Sequence, residues 1–193
     1  RLMALPLMGD AIVEGEIMDP PAVVETIRAA MQALDTRTRP VAIAVGGRDV
    51  IVKKITMDRM PASDAREVIS WEAEHYVPFD MQNVQLDFQI LDPEADGHQM
   101  NALLVAAKKE IIELRLTLLG EAGLSPTIVD VDAFALFNAL EYNYPAAAGG
   151  VVALVNVGNE MTTIIVAEDG VPVVTRDVPF VAKHYRAELR RVH

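Results

Sequence analysis

Residues 151–177, VVALVNVGNEMTTIIVAEDGVPVVTRD, decide how this chain is read. β-Branched residues dominate Val151–Val157, Thr162–Glu168 and Val171–Thr175. Between them stand Gly158-Asn159 and Asp169-Gly170, pairs suited to the positive φ angles of tight reversals. The pattern predicts three short strands joined by two turns. The first turn is more polar than a hairpin requires. Asn156, Gly158, Asn159, Glu160, Thr162 and Thr163 set side-chain donors and acceptors beside backbone N–H groups. Loops of this kind can cradle a phosphate. The same residues also describe an ordinary meander with a polar turn.

The rest of the chain supplies the frame. With 193 residues, 51% of them hydrophobic but only 5% aromatic, it can bury a core made of Val, Ile, Leu, Ala and Met. A net charge of −11 argues against nucleic-acid binding through a general electrostatic footprint, and against adhesion to anionic lipid. Arg176, Lys183, Arg186, Arg190 and Arg191 make the C-terminal segment locally basic. Cysteine is absent, which excludes disulfides, thiolate chemistry and Cys-based zinc sites. No apolar run approaches the roughly 18–20 residues of a transmembrane helix. No signal-peptide pattern is visible in RLMALPLMGD. The chain starts without Met inside an apolar run, and we read it as a piece of a longer protein.

Taken in order, Leu2–Met8 and Ala11–Ile17 flank Gly9-Asp10, a hairpin signal. Asp19 as N-cap and Pro20 at the first helical position predict an amphipathic helix over 21–34. Strands are expected at Val41–Val45 and Val50–Met57, separated by Gly46-Gly47. A helix over Ala62–Tyr76 follows, with Asp64 and Glu67 at capping-box spacing and Val68, Ile69, Ala73 and Tyr76 toward a core. Val84, Leu86, Phe88 and Ile90 alternate with polar residues as a half-exposed strand does. Asn101–Ala107 leads into a helix ended by Gly123. Thr127–Val131 reads as a strand and Ala133–Tyr142 as a helix. This order implies a first α/β unit from residues 1–39 and 124–146, interrupted by an α+β unit over 40–123. A second α/β unit begins at 147 and runs to 193.

Few constellations carry chemistry. His75, His98, His184 and His193 show no metal-ligand spacing, and neither P-loop nor GxGxxG is present. Asp130 and Asp132 stand at the end of a buried strand, where α/β sheets present ligand-facing groups. Asp132 could equally cap the following helix. Beside a phosphate loop it could hold a Mg²⁺-bound water or orient an attacking one.

VDVDAFALFNAL followed by ALVNVGNEMTTIIVAEDGVPVVTRDVPF resembles the actin-like ATPases, specifically the PilM family of type IV pilus assembly proteins. VISWEAEHYVPFDMQNVQLDFQIL is similar to the family's helix–Pro–strand passage in its inserted subdomain. The resemblance implies an actin-like (RNase H-like) α/β fold with an inserted strand–helix–strand–strand subdomain. It further implies a cytoplasmic scaffold at the inner-membrane face. Such a scaffold binds ATP with Mg²⁺ between two lobes and grips the N-terminal peptide of PilN, linking it to the pilus motor. Carried over by motif, the second phosphate loop is Asn156, Gly158, Asn159, Glu160, Met161, Thr162 and Thr163, and the water-orienting carboxylate is Asp132. Asn156 stands where the family usually has Asp, and an amide holds hydrated Mg²⁺ more weakly. A Gly- and Ser-rich first phosphate loop and the adenine-binding region are not recognisable. Two other readings share the plan: a nucleotide-independent adaptor like the cytoplasmic domain of GspL, and a cell-division protein like FtsA.

Overall fold

The computed structural model describes residues 3–13, 15–93, 97–147, 149–159, 161–178 and 181–192. The chain opens with a short ladder, Ile12–Val13 (β1) against Glu16–Ile17 (β2). Gly9-Asp10 does form a turn, with Asp10 at φ 70°, but strand pairing occurs further on, beside Gly15 at φ 85°. The buried Ala11 explains the shift. Its carbonyl accepts from the Met18 and Asp19 N–H groups at 2.9 and 3.2 Å, drawing the chain back after β2. Pro20–Ala33 (α1) then starts as its sequence requires, with Asp19 Oδ1 accepting from Ala22 N at 3.1 Å.

Pro40–Val45 (β3) and Val50–Asp58 (β4) follow, then Ala62–Glu72 (α2), extended by one 3₁₀ turn over Ala73–His75. The expected capping box is not made. Asp64 lies inside the first turn and no side chain caps α2; Pro61 starts it, its carbonyl accepting from Asp64 N and Ala65 N at 3.0 Å. Ala65, Ile69 and Ala73 are fully buried at i, i+4, i+8 spacing, and the small alanines let the helix sit close to its sheet. Tyr76 turns outward under Lys53, and Val77 enters the core in its place.

That sheet comprises β4, Val84–Ile90 (β5) and Gln99–Lys108 (β6), with β6 in the middle and both pairings antiparallel. The central strand is apolar on both faces from Ala102 to Ala107, as a strand covered on each side must be. A polar clasp closes its far end. The Arg59 guanidinium donates to the carbonyls of Asp92, Gly97 and Gln99, while Asp92 accepts from the backbone and side chain of Asn101 at 2.8 and 2.9 Å.

Lys109–Glu121 (α3) ends in a Schellman motif: Gly123 N donates to Gly120 O and Leu124 N to Leu119 O, with Gly123 at φ 80°. Ser125–Val131 (β7) then pairs in parallel with β3, from Pro40↔Ser125 to Val45↔Val131. So β3 joins β7 rather than the following strand, and everything from β4 to α3 is the crossover that a parallel pair demands. No loop separates β7 from Asp132–Asn143 (α4).

Val151–Val157 (β8), Thr162–Glu168 (β9) and Val171–Val178 (β10) form the antiparallel meander expected from the opening stretch, with Asp169 and Gly170 at φ 48° and 83° in the second turn. Ala182–Val192 (α5) follows. Phe137 of α4, only 1% exposed, is the junction of the molecule: it packs with Val131, Ala133, Ile165 and Ala167, and with partly buried Val50, Val52 and Val105.

Candidate functional site

The polar turn is built around one glycine. Gly158 N donates to Met161 O at 3.0 Å, closing a four-residue loop between Val157 and Thr162, which are paired. A Cβ at residue 158 would overlap the Met161 carbonyl, so only glycine permits that approach. Gly158 O in turn accepts from Ala182 N at 2.9 Å, fastening the loop to the start of α5. Both backbone groups of Gly158 are thereby engaged inside the protein.

Below the loop, Asn156, Thr163 and Asp177 lie in one row across β8, β9 and β10. The Thr163 hydroxyl donates to Asp177 Oδ1 at 2.7 Å, a hydrogen bond strengthened by the carboxylate charge. This face continues into Leu154, Ile165 and Ala167, which pack on α4, so the polar row is held at the edge of a core. Asp132, the first residue of α4, stands opposite.

Asp132 is not the helix cap. Val131 occupies the cap position without a side-chain hydrogen bond, and the Asp132 side chain packs on Gly46. Cβ and Cγ of Asp132 lie 3.0 Å from where a Gly46 Cβ would be, and its carboxylate lies nearer still. The residue remains open to the cleft at one edge while its carboxyl end is partly enclosed. Burial raises its pKa above the ordinary carboxylate value; the Arg115 guanidinium opposes this, and the charges of Asp177 and Asp130 add to it.

These residues line a cleft of about 860 Å³, within the usual range for a small-molecule site. Of the loop residues expected from sequence, Asn156, Met161 and Thr163 face it, together with Asp132. Gly158 and Asn159 do not line it, Thr162 is buried, and Glu160 lies outside the described residues. Sequence reasoning passed over Asp177, Gly46, Arg48, Lys108 and Arg115, all of which line the cleft. Among the described residues no group of three or more His, Cys, Asp or Glu is placed to hold a metal. Asp132 and Asp177 therefore fit a divalent cation only as partners to phosphate oxygens and water, the usual manner of Mg²⁺.

A parallel strand pair running straight into α4, an inserted antiparallel subdomain and a following meander define the actin-like class of α/β proteins. Within that class the chain belongs to a family described as type IV pilus assembly protein PilM, whose model matches residues 1–193. A solved structure described as the PilM-PilN type IV pilus biogenesis complex superposes with a TM-score of 0.84 at 28% identity, covering 97% of this chain and 56% of that one. This chain thus spans little more than half of that relative. The cytoplasmic domain of EpsL, an inner membrane component of the Vibrio cholerae type II secretion system, matches at TM-score 0.50 and 17% identity over 81% of this chain and 56% of that chain, a likeness of fold alone. Among the described residues, no helix is long and apolar enough to cross a membrane.

Proposed function

We propose that this chain is part of a cytoplasmic, ATP-binding scaffold of type IV pilus assembly that holds the N-terminal peptide of PilN at the inner-membrane face. The observation that carries the nucleotide reading is the cleft itself. It sets the row Asn156–Thr163–Asp177 against Asp132, with Arg48, Arg115 and Lys108 on its walls. Bound ATP with Mg²⁺ would supply phosphate oxygens and a hydrated cation. Thr163 and Asp177 would fix one side of that assembly and Asp132 the other, with Asn156 and Met161 beside Thr163 on the cleft wall. The raised pKa of Asp132 suits it to hold a hydrogen bond to water at the cleft. The family and the PilM-PilN complex support the partner. In this reading residues 1–39 and 124–146 build the first lobe, 40–123 its inserted subdomain, and 147–193 the start of the second. The β3–β7 pairing ties residues 40–45 to the first lobe as well.

Calorimetric titration of the full-length protein with ATP and Mg²⁺ tests this. Asp177→Asn, which keeps the shape of the row, should weaken binding about 10-fold, the cost of roughly one charge-assisted contact. Failure of the wild-type protein to bind ATP would leave the nucleotide-independent adaptor. If turnover occurs and Asp132→Ala leaves it unchanged, Asp132 has no part in hydrolysis.

A further inference from the structure

The wall that the meander presents to the cleft is short of protons to give. A carboxylate can only accept, so the proton in the 2.7 Å bond between Thr163 and Asp177 Oδ1 is the one the hydroxyl owns. Both residues line the cleft, and toward it Thr163 Oγ1 offers lone pairs alone. Asp177 offers the second oxygen of its carboxylate, again an acceptor. The turn above them adds little. The Gly158 N–H is committed to Met161 O at 3.0 Å, and Gly158 and Asn159 do not line the cleft. Of the three side chains in the row, the Asn156 amide is the one donor left. A phosphate oxygen needs donors, and it finds them on the other walls, at the guanidinium groups of Arg48 and Arg115.

The charges around the cleft point the same way. Lys108 and Asp49 cancel as an ion pair at 2.6 Å. Among the remaining described residues that line it, Glu16, Glu110, Asp132 and Asp177 are acidic and Arg48 and Arg115 basic, an excess of two negative charges. Asp132 and Asp177 bear on the same space, the charge of one being felt at the other. ATP alone brings further negative charge into this field. Its complex with Mg²⁺ brings a compensating cation, and that cation carries water whose protons suit a wall of acceptors.

We propose that the Thr163–Asp177 pair makes the meander wall an acceptor surface, so that the cleft takes ATP as its metal complex and turns away the free anion. Asp177 is a positioning residue: it holds the Thr163 proton away from the cleft and leaves a lone pair facing the water of a hydrated cation. This rests on the nucleotide reading under Proposed function, and it assigns the cation to the meander wall and the phosphates to the arginines.

Calorimetric titration of the full-length protein measures two dissociation constants at one ionic strength, for ATP with saturating Mg²⁺ and for ATP in EDTA. Their ratio is the readout, because damage to the fold weakens both forms alike and leaves it unmoved. Wild-type protein should bind free ATP about 100-fold more weakly than the complex. Thr163→Val, close in shape, removes the lone pair; it should weaken the complex about 10-fold and leave free ATP unchanged. Thr163→Ser keeps the hydroxyl and should restore the wild-type ratio. Asp177→Asn removes a negative charge; it should weaken the complex about 10-fold and tighten free ATP, bringing the ratio below about 10. A wild-type ratio near 1 overturns the proposal. So does equal weakening of both forms by Thr163→Val, or a Thr163→Ser variant that behaves as the valine does. A wild-type protein that binds neither form overturns the nucleotide reading itself, which separates the two failures.

Discussion

The contact between Gly46 and Asp132 allows a prediction with an internal control. In Gly46→Ala the new methyl would lie 3.0 Å from Asp132 Cβ and Cγ and overlap its carboxylate. The carboxylate sits at the free end of two rotatable bonds, so it gives way first. Leaving its rotamer costs about 0.5–1.5 kcal/mol. The residual Cβ–Cβ contact adds a few tenths, and the alanine returns roughly 0.5 kcal/mol by restricting the unfolded chain. The expected net loss is only about 0.5–1.5 kcal/mol, while Asp132 is swung out of the cleft. Gly47→Ala is the contrast. Nothing lies within 4 Å of its Cβ, but its φ of 82° strains any side chain, so it should lose roughly 1–2 kcal/mol with Asp132 undisturbed. Denaturant unfolding of the full-length protein gives the energies, and ATP titration reports the site. Gly46→Ala should weaken ATP by about 10-fold and Gly47→Ala by less than about 3-fold. In an Asp132→Ala background most of the Gly46→Ala destabilisation should vanish, since the group it displaces is gone. If the cost of Gly46→Ala is the same in both backgrounds, the contact does not hold Asp132 and the reasoning is refuted.

Three further outcomes follow from the same structure. Phe137→Ala, at a residue 1% exposed where three sets of strands meet, should cost about 3–5 kcal/mol and broaden the unfolding transition seen by circular dichroism. Asp132→Asn should stabilise the protein at neutral pH. A carboxylate whose folded pKa is raised binds its proton more tightly in the native state, so wild-type stability falls as pH rises from the unfolded value through the folded one. The gain of the variant should therefore be absent below that window and full above it, read from unfolding at a series of pH values. Arg59→Ala leaves three carbonyls without their guanidinium donor and should cost about 1.5–3 kcal/mol, with hydrogen exchange accelerated first at the amides of residues 97–101.

Much of the fold was legible because its signals are local. The alternation of Val84 to Ile90, the Asp19-Pro20 helix start, Gly123 at a helix end and the Asp169-Gly170 reversal each depend on a few adjacent residues, and each appears as expected. What could not be read was pairing across distance. β3 looks like the partner of β4, its neighbour through Gly46-Gly47, yet it pairs with β7 beyond the whole inserted sheet. Tyr76 fits the apolar spacing of α2, but the helix tightens to a 3₁₀ turn at Ala73 and the phase moves on to Val77.

The site shows the same limit at the scale of one residue. Counting back from the Asp169-Gly170 turn, Val171 pairs with Glu168 and Pro172 with Ala167, a register that would set Arg176 opposite Thr163. Asp177 would then face away from the cleft, and a guanidinium would flank the polar turn. The register shifts between Pro172 and Val174, where one extra residue is taken up in β10. Because side chains alternate faces with period two, that single residue exchanges the two positions and brings Asp177 opposite Thr163. Pro172 has no N–H to give the ladder, which is the signal that pairing need not be regular there. The placement of Asp177 in the cleft is thus a consequence of a bulge at Val173. Asn156 lies in the same row as Asp177. An uncharged amide from the first strand of the meander and a carboxylate from the third thus flank Thr163, and the row carries one negative charge beside Asp132.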